Sequence, residues 1–139
     1  LMDKEDPALE IYHQILELDP QNYDTFFEAV TIYRERENLG RILELGNAYF
    51  ADDPEYNYAY SFYASVLYDL EQYTEAAGYY VLYAGKTDYP AYGYYQAARS
   101  YARAGEEDLS KKYMELCLQH DPDYMDYLKD DEEGEWYYD

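Results

Sequence analysis

Basic residues are scarce in this chain: 10 Lys and Arg stand against 31 Asp and Glu, for a formal charge of −21 over 139 residues. Affinity for nucleic acid comes chiefly from neutralising phosphates with cationic side chains, so that class of partner is excluded. Anionic membrane surfaces are disfavoured on the same ground. Cysteine is scarcer still. A single thiol, Cys117, allows no internal disulfide, and its apolar neighbours predict a buried, inert side chain. That usage is compatible with a reducing compartment, and the cytoplasm is the preferred expectation. No apolar run approaches the roughly 18 residues of a membrane-spanning helix. The start, Leu1-Met2-Asp3, has no basic, signal-like stretch, and a leading Leu suggests a piece cut from a longer protein.

The residues of common active sites are equally thin. His13 and His120 are the only histidines, each alone in its segment. There is no His-Glu-x-x-His, no Cys-x-x-Cys and no glycine-rich phosphate loop. Asp121, Asp123 and Glu132 imitate calcium-loop ligands, but Met125 and Asp126 stand where that loop needs an oxygen ligand and then a Gly. No metal and no cofactor is therefore expected. No Ser occupies a nucleophile-elbow context. Carboxylates are so abundant that no pair is marked out as an acid–base couple. The chain is not expected to be an enzyme.

What the chain has is repetition. Pro20, Pro54, Pro90 and Pro122 follow Asp or Tyr at intervals of 34, 36 and 32 residues. Apolar residues make up 48% of the sequence, enough for a core, and between the prolines they return with the three-and-four spacing of a helical face. A period near 34 is that of a helix-turn-helix unit which buries its apolar face only by stacking on neighbours. The first unit is half present. Asp6 is a favourable cap, Pro7 suits the first helical position, and Ala8, Ile11, Tyr12, Ile15 and Leu16 trace one face before Pro20 ends the segment. A second unit then has helices over 23–36 and 42–50, with a turn at 38–40 and Phe26, Phe27, Val30 and Tyr33 as its apolar set. The third is expected over 55–69 and 73–84, and the fourth over 91–104 and 107–119, turning at Gly105. A short helix at 124–129 would cover the last apolar face. Residues 130–139 form an acidic tail carrying Trp136, Tyr137 and Tyr138, expected to stay solvated unless its aromatic residues dock on a groove or a neighbouring copy. No alternating strand pattern is present, so the expected class is all-α.

The units resemble the tetratricopeptide repeat. In the fourth, Tyr94, Ala97, Ala98, Tyr101, Gly105 and Pro122 fall on the motif's aromatic, small, turn and closing places; in the third, Tyr60, Tyr63, Ala64, Leu67, Tyr73, Ala76 and Tyr80 do so. Ala8, Tyr12 and Pro20 match in the half-unit. The pattern departs at Ile42 and Gly46 in the second unit, at Glu71 in the third, and at Ser110 and Met114 in the fourth. The resemblance covers about residues 7–122 and implies a right-handed superhelix of half a repeat plus repeats at 23–54, 55–90 and 91–122, with a cap at 123–129.

The resemblance also implies where a partner would lie, because the first helix of each repeat lines the concave groove in that family. Its groove places carry over to Asp24, Phe27, Thr31, Arg34 and Glu35, then to Tyr58, Ser61, Ser65, Tyr68 and Asp69, and finally to Tyr92, Tyr95, Arg99, Ala102 and Arg103. Tyr offers an apolar face and a hydroxyl at small entropic cost, and Arg pairs with carboxylates or stacks on rings. Expected from this is a module that binds a protein or peptide, basic segments included, with self-association through the ends of the stack. The carboxylate clamp known in the family is not reproduced. Phe27, Ser61 and Tyr95 stand at its Lys place and Thr31, Ser65 and Arg99 at its Asn place. Two alternatives are a segment of a longer helical scaffold and a small acidic chaperone of the secretion type.

Overall fold

The computed structural model describes residues 6–126. Among them are seven helices and no strand, so the chain is all-α. Residues 124–126 are also helical; the rest of the expected cap, and the tail at 130–139, lie outside the described residues. The helices fall into two compact units that divide after Tyr56.

The first unit holds α1 (Pro7–Leu18), α2 (Tyr23–Glu35) and α3 (Leu39–Tyr49), each packed on the next. Local chemistry sets their starts. Asp6 accepts from the backbone amides of Ala8 and Leu9 at 3.0 and 3.3 Å, ahead of Pro7. Asn22 caps α2 through the Thr25 amide, and Asn38 caps α3 through the Arg41 amide. Each such cap satisfies a donor that the helix cannot, typically worth about 1 kcal/mol. The Asn38 cap starts α3 at Leu39, so the expected turn at 38–40 is shorter and Gly40 is helical. The core comprises Leu9, Phe26, Ala29, Val30, Tyr33, Ile42, Leu45 and Tyr49. Phe26 stacks on Tyr49 at 4.1 Å, and Phe50 meets Phe26 edge-on at 5.8 Å. On α1 the expected stripe is rotated: Leu9 is fully buried, whereas Ala8 is exposed and Ile11 is 53% exposed. Packing against α2 selects the side of the helix on which Leu9 lies, and periodicity alone did not fix that side.

The second unit holds α4 (Tyr58–Asp69), α5 (Tyr73–Ala84), α6 (Pro90–Arg103) and α7 (Glu107–His120), again each packed on its successor. Helix α4 begins at Tyr58, three residues later than expected. Small residues sit where helices approach. Ala64, Tyr80 and Ala97 form one buried cluster, and Ala91, Ala98, Met114 and Cys117 form another, with Tyr124 and Met125 packed against it. A Cβ on Gly93 would lie 2.8 Å from Ala84 Cβ, so α6 reaches α5 there only because both side chains are minimal. Tyr101, at one of the motif's aromatic places, is half-buried and stacks on Tyr113 at 5.6 Å. Ser110 takes the place of the small apolar residue by donating its Oγ proton to the Ala98 carbonyl at 2.6 Å, which removes the penalty of burying a hydroxyl.

The repeat is written most plainly in the backbone. Glu37, Glu71 and Gly105 all have positive φ, at 53°, 63° and 81°, and they are 34 residues apart. After each, the next amide bonds back across the helix end: Asn38 to Tyr33 at 2.9 Å, Gln72 to Leu67 at 2.8 Å, and Glu106 to Tyr101 at 2.9 Å. This six-to-one bond with a left-handed residue is the Schellman ending, which turns the chain sharply and satisfies terminal carbonyls. The first helix of each hairpin thus ends the same way three times. Only the third has the Gly that this conformation favours.

Candidate functional site

Positions 58, 61, 65 and 68 share one face of α4, and 92, 95, 99 and 103 share one face of α6, because residues three and four apart are neighbours on a helix. The second unit brings parts of these two faces together. Arg99 is the centre. Its guanidinium carbon lies 5.3 Å from the Tyr68 ring centroid and 5.9 Å from that of Tyr95. Nη1 donates to Gln96 Oε1 at 3.0 Å, and Nη2 approaches Tyr68 Oη at 3.4 Å. A cation over an aromatic face gains about 0.5–1 kcal/mol where solvent reaches it. Arg99, half-buried, is therefore held in one orientation rather than left to sweep through water.

Tyrosines extend the face on both sides. Tyr68 meets Tyr73 edge-on at 5.1 Å, and Arg103 lies 5.8 Å from the Tyr73 ring. Tyr95 packs against Tyr124 at 5.2 Å. Tyr92 meets Tyr83 edge-on at 6.4 Å. Burial pushes the Tyr92 phenol up from its ordinary range, against the opposing effect of a hydrogen bond with Gln96. Tyr58 and Tyr92 are the open members, 52% and 41% exposed. The outcome is a surface of rigid amphipathic rings around an oriented guanidinium, able to stack on side chains and peptide planes and to accept or donate hydrogen bonds.

Not every residue read from the sequence is available on that surface. Ser61 is buried, and Ser65 Oγ is turned back to the Phe62 carbonyl at 2.7 Å. Both serve the helix more than a ligand. On α2, in the first unit, Phe27 and Arg34 are exposed and Thr31 is half-buried; Phe27 packs 6.1 Å from Tyr23. Two members were not anticipated. Gln96 lies one turn before Arg99, where an amide can fix a guanidinium, and Tyr73 opens α5 just past a three-residue turn from Tyr68. The i−3 spacing would have pointed to the first, and the shortness of the turn to the second.

No group of His, Cys, Asp and Glu among the described residues is arranged to hold a metal. None of their helices is long and apolar enough to cross a membrane. No family model matches the chain, and neither does a curated protein or a solved structure.

Proposed function

We propose that this chain is a protein-interaction module of the tetratricopeptide type, without catalytic activity, whose α4–α6 face receives a peptide or partner protein. One observation carries the reading: Arg99 held between the Tyr68 and Tyr95 rings, with Tyr58 and Tyr92 exposed on the same two helices. Arginine and tyrosine are the residue types that most often dominate binding energy, and here they are fixed before any partner arrives, which lowers the entropic cost of association. The three Schellman endings at a 34-residue period support the repeat type, and with it a right-handed superhelix. A charge of −21 favours partners with basic segments by long-range attraction. Affinity capture with the wild type beside a Tyr58→Ala, Tyr95→Ala and Arg99→Ala variant is the test. Prey lost only with the variant supports the reading, and identical prey sets overturn it.

A second reading has its own support. Helix α1 exposes Ile11 at 53% and Leu18 at 90%, apolar surface suited to packing on a further helix. On this reading the chain is a segment of a longer scaffold, and its ends rather than its face make the contacts.

A further inference from the structure

The second unit leads its chain out beside the α4–α6 face. After α7, residues 124–126 form a short helical turn, in which the Tyr124 and Asp126 amides donate to the Asp121 and Asp123 carbonyls at 3.2 and 3.1 Å. Tyr124 and Met125 pack on the buried cluster of Ala91, Ala98, Met114 and Cys117. The Tyr124 ring lies 5.2 Å from that of Tyr95, and the Tyr95 ring lies 5.9 Å from the Arg99 guanidinium. The residues that follow Asp126 therefore set out close to the centre of the face.

Two guanidiniums stand one turn apart there. Arg99 is half-buried and Arg103 exposed, the first over Tyr68 and Tyr95 and the second over Tyr73. An arginine fork matches a carboxylate, and its plane also stacks on rings. A segment that carries both carboxylates and aromatic side chains is the complement of such a surface. The sequence holds one. Residues 127–139 lie outside the described residues, and 130–139 contain six carboxylates, no cation and the run Trp136-Tyr137-Tyr138. The distances allow the contact: from Asp126 to Asp130 an extended chain reaches about 13 Å, and Tyr95 to Arg103 is about 12 Å along the helix axis. The rest of the chain is itself net negative, so long-range attraction does not bring the segment in, and local pairing must. The short tether helps by holding the segment near the face at an effective concentration of about millimolar.

We propose that residues 130–139 dock on the α4–α6 face of their own chain, with carboxylates on Arg99 and Arg103 and the Trp136 ring against Tyr68 and Tyr73. This rests on the reading of that face as a binding surface. It makes the chain's own acidic segment the first occupant, which a partner must displace.

Trp136 is the only tryptophan, so its fluorescence reports the contact in the full chain with no partner present, and the result is separate from that of affinity capture. Acrylamide quenching of the full chain is compared with quenching of a peptide of residues 127–139. The wild-type chain should show a quenching constant severalfold below the peptide's, unchanged on dilution. Arg99→Gln with Arg103→Gln should raise it to the peptide's value, whereas Lys111→Gln with Lys112→Gln on α7 should leave it as in the wild type. Should the arginine pair fail to fold, a chain with Asp130→Asn, Asp131→Asn, Glu132→Gln and Glu133→Gln removes the same ion pairs from the other side and should expose Trp136 equally. Wild-type quenching as strong as the peptide's, or protection that survives loss of either set of charges, would overturn the proposal. So would release by the lysine pair, or protection that falls on dilution, the mark of docking on a second copy.

Discussion

Two glycines in adjacent helices should respond to the same substitution with opposite sign. Gly78 lies in α5, and a Cβ built on it meets nothing within 4 Å. Gly78→Ala therefore gains the helix propensity difference, about 1 kcal/mol, at no steric cost. Gly93 lies in α6 against the end of α5. A Cβ there comes within 2.8 Å of Ala84 Cβ and 3.0 Å of its Cα and N, where carbon atoms prefer roughly 3.5–4.0 Å. Two of those three atoms are backbone, so no rotamer change relieves the clash and the helices must part. A contact this short against backbone falls in the upper part of the overpacking range, at about 2–3 kcal/mol. After the propensity gain, Gly93→Ala should be destabilising by about 1–2 kcal/mol. The two variants then differ by roughly 2–3 kcal/mol, or about 6–9 °C in Tm at roughly 3 °C per kcal/mol for this chain length. Far-UV circular dichroism under heat and urea reads both, and both residues belong to the same unit. Gly93→Ala with stability equal to or above wild type would refute the close approach of α5 and α6.

Further expectations follow from the turns, the crossings and the buried phenols. Glu71→Gly relieves a left-handed residue that costs an L-side chain about 1–2 kcal/mol; after the entropy lost to Gly, urea unfolding should show a gain of about 0.5–1 kcal/mol, and Gly105→Ala should show a loss of similar size. Ser110→Ala puts in the small apolar residue that the resemblance leads one to expect at this place, yet it should cost about 0.5–1.5 kcal/mol, because the 2.6 Å bond to the Ala98 carbonyl goes with it. A stabilised Ser110→Ala in the same urea assay would contradict that bond. Burial raises the phenol of Tyr49 to about 12 from the ordinary 10.0, and those of Tyr63 and Tyr80 further. The folded state therefore holds protons that the unfolded state releases near pH 10. This stability is complete below that pH and is lost above it, at about 1.4 kcal/mol per pH unit for each tyrosine. Alkaline unfolding should accompany the late rise in tyrosinate absorbance; early ionisation of all 23 tyrosines without unfolding would argue against burial.

The fold was legible where a residue's own chemistry decides the backbone. Asp6 with Pro7 starts α1, Pro20 follows the end of α1, Pro54 lies between α3 and α4, and Gly105 marks a turn, each through local geometry. Ala64, Ala97 and Tyr80 fell on the motif's small and aromatic places, and they pack together because size at a fixed spacing is a local property too. Decisions made by neighbours were less visible. Capping by Asn38 begins α3 three residues earlier than the apolar pattern suggested, and only contact with α2 picks Leu9 over Ile11. Glu37 and Glu71 adopt left-handed backbone against their own preference because the hairpin on either side requires it. The candidate face shows the same division. Its positions on α4 and α6 were carried over from the resemblance to the tetratricopeptide repeat, but α4 is buried on several sides, so no periodicity separates Tyr58 on the surface from Tyr60 and Tyr63 in the core. The contact of Arg99 with Tyr68 depends on two helices meeting. A recess of about 40 Å³ lined by Leu16, Pro20, Phe26, Leu45, Ala48 and Tyr49 has no linear signature, since its lining comes from all three helices of the first unit and the loop at Pro20.

The proposed interaction face is tested most directly by hydrogen exchange of the chain in complex with a partner recovered by affinity capture. The account predicts new protection in the segments of α4 (Tyr58–Asp69) and α6 (Pro90–Arg103), with α5 (Tyr73–Ala84) and α7 (Glu107–His120) changed much less. Protection concentrated on α5 and α7, or confined to α1, would contradict it.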